Sequence, residues 1–304
     1  MRQEKQKKAT DVSLKTDDKL ALRYLMPAIF FLVVFMAYPI LNVFYYCFQN
    51  YNITKPYLNG FVGFENFKNL FHDNLFTSSI LISLRWVVIE VFFQLVIGMI
   101  TALILNTSFR GKGVCRALVF APWAVSGVLT SMLWSLIYNE NMGVLNDLLL
   151  KLGLIAKRIA WVSSYDTAFG ALCVAELWRG LPFFSIMLLA GLQGIPQEVY
   201  EAANVDGASR WQTFWYITVP ELKNTIILST LLRSVWEFNN VDVIFNLTGG
   251  GPTNRTMTLT MYLTQTAVYE NNFGYGSTIA VVAFVILAVA AALYIKITGF
   301  GKEE

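Results

Sequence analysis

The chain has 304 residues, of which 56% are hydrophobic and only 14% are charged, whereas about a quarter of the residues in soluble domains are charged. A soluble fold of this length cannot bury so much apolar surface, so the composition predicts a membrane protein. The net charge of +3 is too small to indicate nucleic-acid binding. A single histidine, His72, gives no support for a metal site, and Cys47, Cys115 and Cys173 lack the spacing of a disulfide framework.

Six apolar segments each approach or exceed the roughly 20 residues that cross a bilayer as a helix. The predicted spans cover 22–48, 80–105, 114–138, 167–193, 224–247 and 276–298. The basic N-terminal segment precedes an apolar run that is too long for a signal-peptide core, and no small-residue cleavage site follows it. We therefore expect an all-α membrane protein with a cytoplasmic basic tail (1–21), a first helix with its external loop (22–79), a five-helix core (80–298) and a short cytoplasmic tail (299–304).

The distribution of Lys and Arg predicts the orientation in the membrane. With the N-terminus inside, the cytoplasmic segments hold fourteen basic residues and the external segments hold six. Both termini are therefore expected in the cytoplasm, as is the polar segment 196–222 between the fourth and fifth spans. In the external segment 139–164, leucines at helical spacing predict a helix lying on the membrane surface.

The polar segment QEVYEAANVDGASRWQTFWYITVPEL (197–222) has the local signals of a helix–turn–helix. Pro196 suits the first turn of a helix, and Gly207 suits its C-terminal cap. Ser209 and Gln212 have the spacing of a capping box that starts a second helix, which Pro220 is expected to end. An ordinary amphipathic loop at the membrane interface would explain the same pattern.

This segment also resembles the EAA motif of the inner-membrane permease subunits of binding-protein-dependent ABC importers. The matching positions are Glu201, Ala202, Ala203, Gly207, Ile217 and Pro220, and Val219 replaces the usual leucine. The DGA (206–208) and LTGGGP (247–252) stretches are similar to the subgroup that imports carbohydrates. The resemblance therefore implies a sugar or oligosaccharide permease in a prokaryotic cytoplasmic membrane, supplied by an external solute-binding protein.

The resemblance also implies the partner surfaces. Residues expected to couple to a cytoplasmic ATPase are Glu201, Ala202, Ala203, Asp206, Gly207 and Pro220, with Glu201 pairing to a basic residue. Residues expected to dock the binding protein are Gly249, Gly250, Gly251 and Pro252. The chain has no nucleotide-binding motif, so we expect no enzyme activity and no bound cofactor, with ATP and Mg on two partner ATPase subunits. A second homologous permease would complete the pathway.

Two polar clusters fall within predicted spans, where ionisable groups are expensive and usually face a wet cavity or the bundle interior. Glu176 and Arg179 are three residues apart, and Arg233 and Glu237 are four apart, so each pair could simply stabilise its own helix. The alternative is a saccharide pocket. The resemblance to maltose-importing family members implies sugar contacts at Glu176, Arg179, Gly180, Phe183, Trp236, Glu237 and Asn240. At three of these positions those family members have a different residue type, which argues against maltose itself as the substrate.

A different class of function also stays open at the level of sequence. Glu90, Glu176 and Asp242 are the carboxylates that an autonomous secondary transporter or channel would use for protons or cations. No internal duplication supports the two inverted halves typical of many such transporters. Glu90 has no assigned role beyond a helix contact.

Overall fold

The computed structural model describes Leu20 and residues 23–300, so the predicted tails lie almost entirely outside the described residues. The described chain is mostly helical. Its helices in chain order are α1 (Arg23–Tyr46), α2 (Glu65–Phe71), α3 (Asn74–Asn106), α4 (Lys112–Phe120), α5 (Gly127–Ile137), α6 (Val144–Lys151), α7 (Ala168–Gly194), α8 (Gln197–Val205), α9 (Arg210–Thr213), α10 (Val219–Glu221), α11 (Lys223–Phe238), α12 (Asp242–Leu247), α13 (Leu259–Thr264) and α14 (Phe273–Thr298).

Short irregular elements join these helices. A two-stranded antiparallel sheet pairs β1 (Gln49–Asn50) with β2 (Gly60–Phe61) in the loop after α1. Tight 3-10 turns occur at Pro56–Leu58 and Ala121–Ala124, and wider π-helical turns occur at Val33–Ala37, Phe214–Thr218 and Gln265–Tyr269. The last two π turns connect α9 to α10 and extend α13.

Four of the predicted spans are confirmed as helices that are long and apolar enough to cross a membrane, namely α1, α3, α7 and α14. The predicted span 114–138 is bent, because α4 with its following 3-10 turn meets α5 at 104°. The prediction of one continuous helix over 224–247 is wrong, because α11 ends at Phe238 and α12 begins only at Asp242. The Asn239 side chain donates a hydrogen bond to the Val235 carbonyl at 2.8 Å, and this local bond competes with the backbone bonds that would continue the helix.

The core is organised around the pair α3 and α7. A methyl group added at Gly98 of α3 would lie only 2.5 Å from Cβ of Phe184, so the two backbones approach closely because residue 98 is glycine. Residues of α3 enter two separate apolar clusters, one around Trp86 and Phe169 and the other around Leu105 and Phe184. The boundary between the clusters lies about half way along α3, and polar side chains occupy it.

Helix α1 stands apart from this core. None of the residues in its most apolar stretch is buried within the chain. Its later half contacts α14, where the rings of Phe44 and Phe284 make an edge-to-face contact at a centroid distance of 6.2 Å. The apolar surface of α1 is therefore left for lipid or for another protein.

The local predictions for the polar segment are largely confirmed. Pro196 occupies the N-cap position of α8, one residue earlier than expected. At the other end of α8, Gly207 has a φ of +77°, and the amides of Gly207 and Ala208 close a Schellman cap on Asn204 and Ala203. The capping box at α9 is complete. The chain stays helical past Pro220 to Glu221 and turns at Leu222.

Candidate substrate site

Arg233 of α11 lies at the centre of the polar boundary, and its side chain is only 7% exposed. Its Nη2 lies 3.0 Å from Oε1 of Glu176 on α7 and 2.6 Å from Oε1 of Glu237 one turn further along α11. Arg179 holds the same Glu176 through two hydrogen bonds of 2.9 and 3.0 Å. Both predicted intrahelical pairs therefore form, and Arg233 joins them across two helices.

Helix α3 completes this network with a stripe of three side chains spaced four residues apart. Gln94 accepts from Nε of Arg233 at 2.7 Å and donates to Glu237 at 2.9 Å and to Glu90 at 3.0 Å. Trp86 donates from its indole nitrogen to Glu237 at 3.2 Å. Sequence reasoning missed Trp86 and Gln94, although their spacing relative to Glu90 was a signal that could have found them.

Gly180 has a steric role in this arrangement. A side-chain carbon built at Gly180 would overlap Nη2 of Arg233 and the amide of Gln94. Only glycine therefore lets the guanidinium lie against the backbone of α7. Phe183, one turn later, receives the same guanidinium above its ring at 5.9 Å.

A cavity of about 170 Å³ opens beside the network where α11 breaks. Its lining residues are Glu176, Arg179, Arg233, Trp236, Glu237, Asn239, Asn240, Val241 and Asp242. Five of the seven residues predicted to contact substrate line this cavity, whereas Gly180 and Phe183 stand behind its wall. The indole of Trp236 is 47% exposed and rests against Phe183 at a centroid distance of 5.1 Å.

The carboxylate of Glu237 is fully used by the protein. Its Oε1 accepts from Gln94 and pairs with Arg233, and its Oε2 accepts from Trp86 at 3.2 Å and from Asn240 at 3.4 Å. A carboxylate offers about four lone-pair positions, so no acceptor remains unoccupied in this conformation. The groups left to face a solute include the Trp236 ring, the amides of Asn239 and Asn240, and the N–H groups of Arg179 that Glu176 does not accept.

A much larger groove of about 1060 Å³ lies between the second half of α3 and the segment from α8 to α10. Its walls are mainly apolar, with Met99, Leu103, Phe214 and Trp215 among them. Polar side chains such as Tyr200 and Arg210 form only a small part of the groove wall, whereas polar and charged side chains dominate the lining of the smaller cavity. Recognition of a polar solute needs a few well-placed polar groups that converge on it. The smaller cavity is therefore the better candidate for binding a polar solute.

Most of the predicted coupling residues form an exposed surface on α8 and its cap, whereas Pro220 lies in α10. Glu201, Ala202 and Asp206 are exposed, whereas Ala203 is buried against the rest of the chain. Val205 is 87% exposed, which leaves an apolar side chain beside the carboxylates. A hydrogen bond of 3.3 Å between the hydroxyls of Tyr200 and Thr218 fixes α8 to the second helical segment.

The predicted docking loop is tightly folded. The Thr256 hydroxyl donates to the Gly251 carbonyl at 2.7 Å and contacts the Thr248 hydroxyl at 2.8 Å. The guanidinium of Arg255 lies 4.6 Å above the ring of Tyr165, which ties this loop to the loop before α7. Gly250 is buried and Gly251 and Pro252 are half-buried, so the exposed rim of the loop is formed by Gly249, Thr253 and Asn254.

The start of α3 is fastened near this loop by Asp73. Its carboxylate caps α3 through the Leu75 amide at 2.8 Å and accepts from the hydroxyls of Tyr262 at 2.5 Å and Tyr275 at 3.2 Å. Burial, and next the hydrogen bond to Asp73, raise the pKa of the Tyr262 phenol above its ordinary value. The phenol therefore stays a donor, and α3, α13 and α14 share one anchoring point.

The chain belongs to the family described as the binding-protein-dependent transport system inner membrane component, whose sequence model matches residues 94–297. It is thus a multi-pass permease subunit of an ABC importer, a transport component whose ATP is hydrolysed by a partner ATPase. It is 33% identical to the trehalose/maltose transport system permease protein MalF of Thermococcus litoralis, over 94% of this chain and 95% of that protein. It is 34% identical to the sulfoquinovosyl glycerol transport system permease protein SmoG of Agrobacterium fabrum, over 92% of this chain and 91% of that one.

Solved structures agree on the fold. The chain superimposes with a TM-score of 0.82 on a bacterial ABC transporter involved in the import of the acidic polysaccharide alginate, covering 95% of this chain and 98% of that one at 21% identity. A structure of the bacterial alginate ABC transporter in complex with an alginate pentasaccharide-bound periplasmic protein gives a TM-score of 0.80 at 22% identity, over 93% of this chain and 95% of that one. The permease fold is therefore shared, although sequence identity to these structures is low.

Proposed function

We propose that this subunit conducts a sugar or oligosaccharide from an external solute-binding protein to the cytoplasm, and that the cavity at the end of α11 is its substrate site. The observation that carries the proposal is the half-exposed indole of Trp236 beside a fixed set of polar groups. Saccharides combine apolar ring faces with many hydroxyls, and such a cavity offers a partner for each. The names of the relatives MalF and SmoG, both sugar transport system permeases, support the same class of solute.

Within this site, some side chains have groups that can contact a sugar, and others are already paired within the protein. Trp236 would stack on a pyranose face, while Asn240 and Arg179 would donate hydrogen bonds to hydroxyl oxygens. Glu176 and Glu237 form the wall and hold the two guanidinium groups in place, because the protein already occupies their oxygens. Gly180 and Phe183 support that wall from behind.

The membrane arrangement that fits this role has six crossings with both termini in the cytoplasm. The six crossings would be α1, α3, the bent pair α4 and α5, α7, α11 and α14. The chain would then divide into a cytoplasmic tail (1–21), a first helix with its external loop (22–79), a core (80–298) and a C-terminal tail (299–304). Helix α11 has 16 residues, which is about 24 Å of helix. It would therefore rise from the cytoplasmic segment and end at the substrate cavity within the membrane.

The proposed partners each match a surface of the chain. Two cytoplasmic ATPases carrying ATP and Mg would dock on Glu201, Ala202, Asp206 and the capped turn at Gly207, with Ala203 and Pro220 shaping the segment beneath. The external binding protein would dock on the loop Gly249–Pro252 and its exposed neighbours. A second homologous permease would complete the pathway and cover apolar surface that α1 leaves open. The location would be a prokaryotic cytoplasmic membrane.

An autonomous secondary transporter is less well supported. Of the three carboxylates that such a transporter would use, Glu176 is paired with Arg179 and Arg233, so its charge is compensated. The family membership favours an importer subunit as well.

The test is uptake in liposomes that contain the complete complex, with binding protein outside and ATP inside, across a panel of labelled saccharides. Trp236→Ala should reduce uptake of the transported sugar about tenfold or more, as truncation of a central aromatic contact does. Trp178→Ala is the matched control, because Trp178 lies on α7 next to Arg179 but outside the cavity lining. Normal uptake by Trp236→Ala, or uptake driven by an ion gradient without ATP, would overturn the proposal.

A further inference from the structure

The charges around the substrate cavity do not balance. Three carboxylates line it, those of Glu176, Glu237 and Asp242, and the described residues supply two guanidinium groups, those of Arg179 and Arg233. The formal charge of the lining is therefore negative by one.

Both guanidinium groups are already committed to carboxylates of the protein. Arg179 makes two hydrogen bonds to Glu176, and Arg233 contacts both Glu176 and Glu237. These carboxylates are at most 1% exposed. A solute anion could still accept from the N–H groups of Arg179 that Glu176 leaves free. It would then share a guanidinium whose positive charge the buried carboxylates already compensate.

The third carboxylate strengthens this effect. Asp242 begins α12 and lies against the start of α5, where a carbon added at Gly127 would be 2.9 Å from its Oδ2. It belongs to the lining of the cavity, so a solute anion would face a carboxylate of like charge across a small space. Like charges brought together in this way weaken binding and so disfavour the wrong partner.

Resting on the function proposed above, we propose that this cavity selects uncharged saccharides and rejects sugars that carry a carboxylate or sulfonate. An uncharged sugar needs only the indole face and hydroxyl hydrogen bonds, all of which are present without breaking an ion pair. The fold alone does not set this preference, since the alginate transporter with the same fold is described as importing an acidic polysaccharide. The lining of this particular cavity decides it.

The charge of the cavity can be measured without knowing the sugar. Asn239 is exposed in the lining, so Asn239→Cys in the assembled complex provides a reactive thiol there. Cys115 and Cys173 are first changed to serine, and labelling of this chain is read by mass. Two methanethiosulfonate reagents are compared, a cationic one with a trimethylammonium group and an anionic one with a sulfonate group, and each rate is divided by the rate of the same reagent with free 2-mercaptoethanol. The cationic reagent should react about tenfold faster, because a negatively charged cleft concentrates cations. Asp242→Asn should reduce this ratio several-fold.

The second arm uses matched sugars as protecting ligands. Glucose, galactose and mannose are each paired with the corresponding uronate. Each sugar is added at high concentration, and its ability to slow the labelling of residue 239 by an uncharged maleimide is measured. The same pairs are tested in the unmodified complex as competitors of uptake, which removes any effect of the substitution on folding. We expect protection and competition by at least one hexose and by none of the uronates.

The outcomes separate the two proposals. Faster reaction of the anionic reagent, or a uronate that protects as well as its neutral partner, overturns the charge preference and leaves the saccharide site intact. Normal labelling with no protection and no competition by any sugar overturns the saccharide site, and the charge preference fails with it.

Discussion

Removal of the Glu237 carboxylate tests how far the buried network determines the fold of the permease. Glu237→Ala leaves the indole nitrogen of Trp86 buried without its acceptor, at a cost of about 1–3 kcal/mol. It also removes one charged partner of Arg233, worth about 1.5–3 kcal/mol. Arg233 keeps Glu176 and Gln94, so its charge is not fully stranded. The expected loss of unfolding free energy is therefore about 2.5–6 kcal/mol.

The assay is a double-mutant cycle on the assembled complex. Glu237→Ala, Arg233→Ala and the double variant are unfolded by denaturant in mixed micelles, and assembly and ATPase activity are measured alongside. Because the two side chains share an ion pair, the double variant should be less destabilised than the sum of the single variants by about 1–3 kcal/mol. Glu176 remains paired to Arg179 in the double variant, so a second carboxylate is not stranded.

The exposed pair Asp147 and Arg158 provides the control. Its 2.7 Å separation is almost that of the buried pair, but its side chains are 46% and 37% exposed. Asp147→Ala should cost at most about 1 kcal/mol, because water solvates the remaining charge. Additive effects at Glu237 and Arg233, or a loss no larger than at Asp147, would refute the reasoning that burial makes this network a structural unit.

Three further predictions concern other parts of the chain. Glu201→Lys should abolish uptake while the complex still assembles and hydrolyses ATP, because it places a cation opposite a basic residue of the partner. Glu198→Lys on the same helix is the control. Normal uptake by the Glu201 variant would remove the basis of the coupling assignment. Thr253→Cys should react with an impermeant reagent from outside the cell and less so with the binding protein present, whereas labelling only from the cytoplasm would reverse the topology. Gly98→Ala should destabilise the protein by about 1–3 kcal/mol through the collision with α7, while Gly113→Ala, which meets open space, should be neutral or stabilising in the same unfolding assay.

The sequence by itself determined the features that depend on local pattern. Hydropathy located four of the spanning helices, since a bilayer requires a long apolar run whatever surrounds it. The cap at Gly207 and the capping box at Ser209 were also predictable, because each is set by a few neighbouring residues. The pairing of Glu176 with Arg179 and of Arg233 with Glu237 followed from helical spacing alone.

The tertiary structure decided what depends on contacts between distant residues. Hydropathy could not show that α11 ends at Phe238, because the apolar residues of α12 continue the same run beyond the break. Nor could it show that Arg233 reaches Glu176 and Gln94, which lie 57 and 139 residues away in the chain. The packing of α3, α7 and α11 brings these side chains together, and their contacts occupy every acceptor position of Glu237. Spacing along one helix fixes which side chains share a face, but only the packing of several helices fixes which of them remain free to meet a solute.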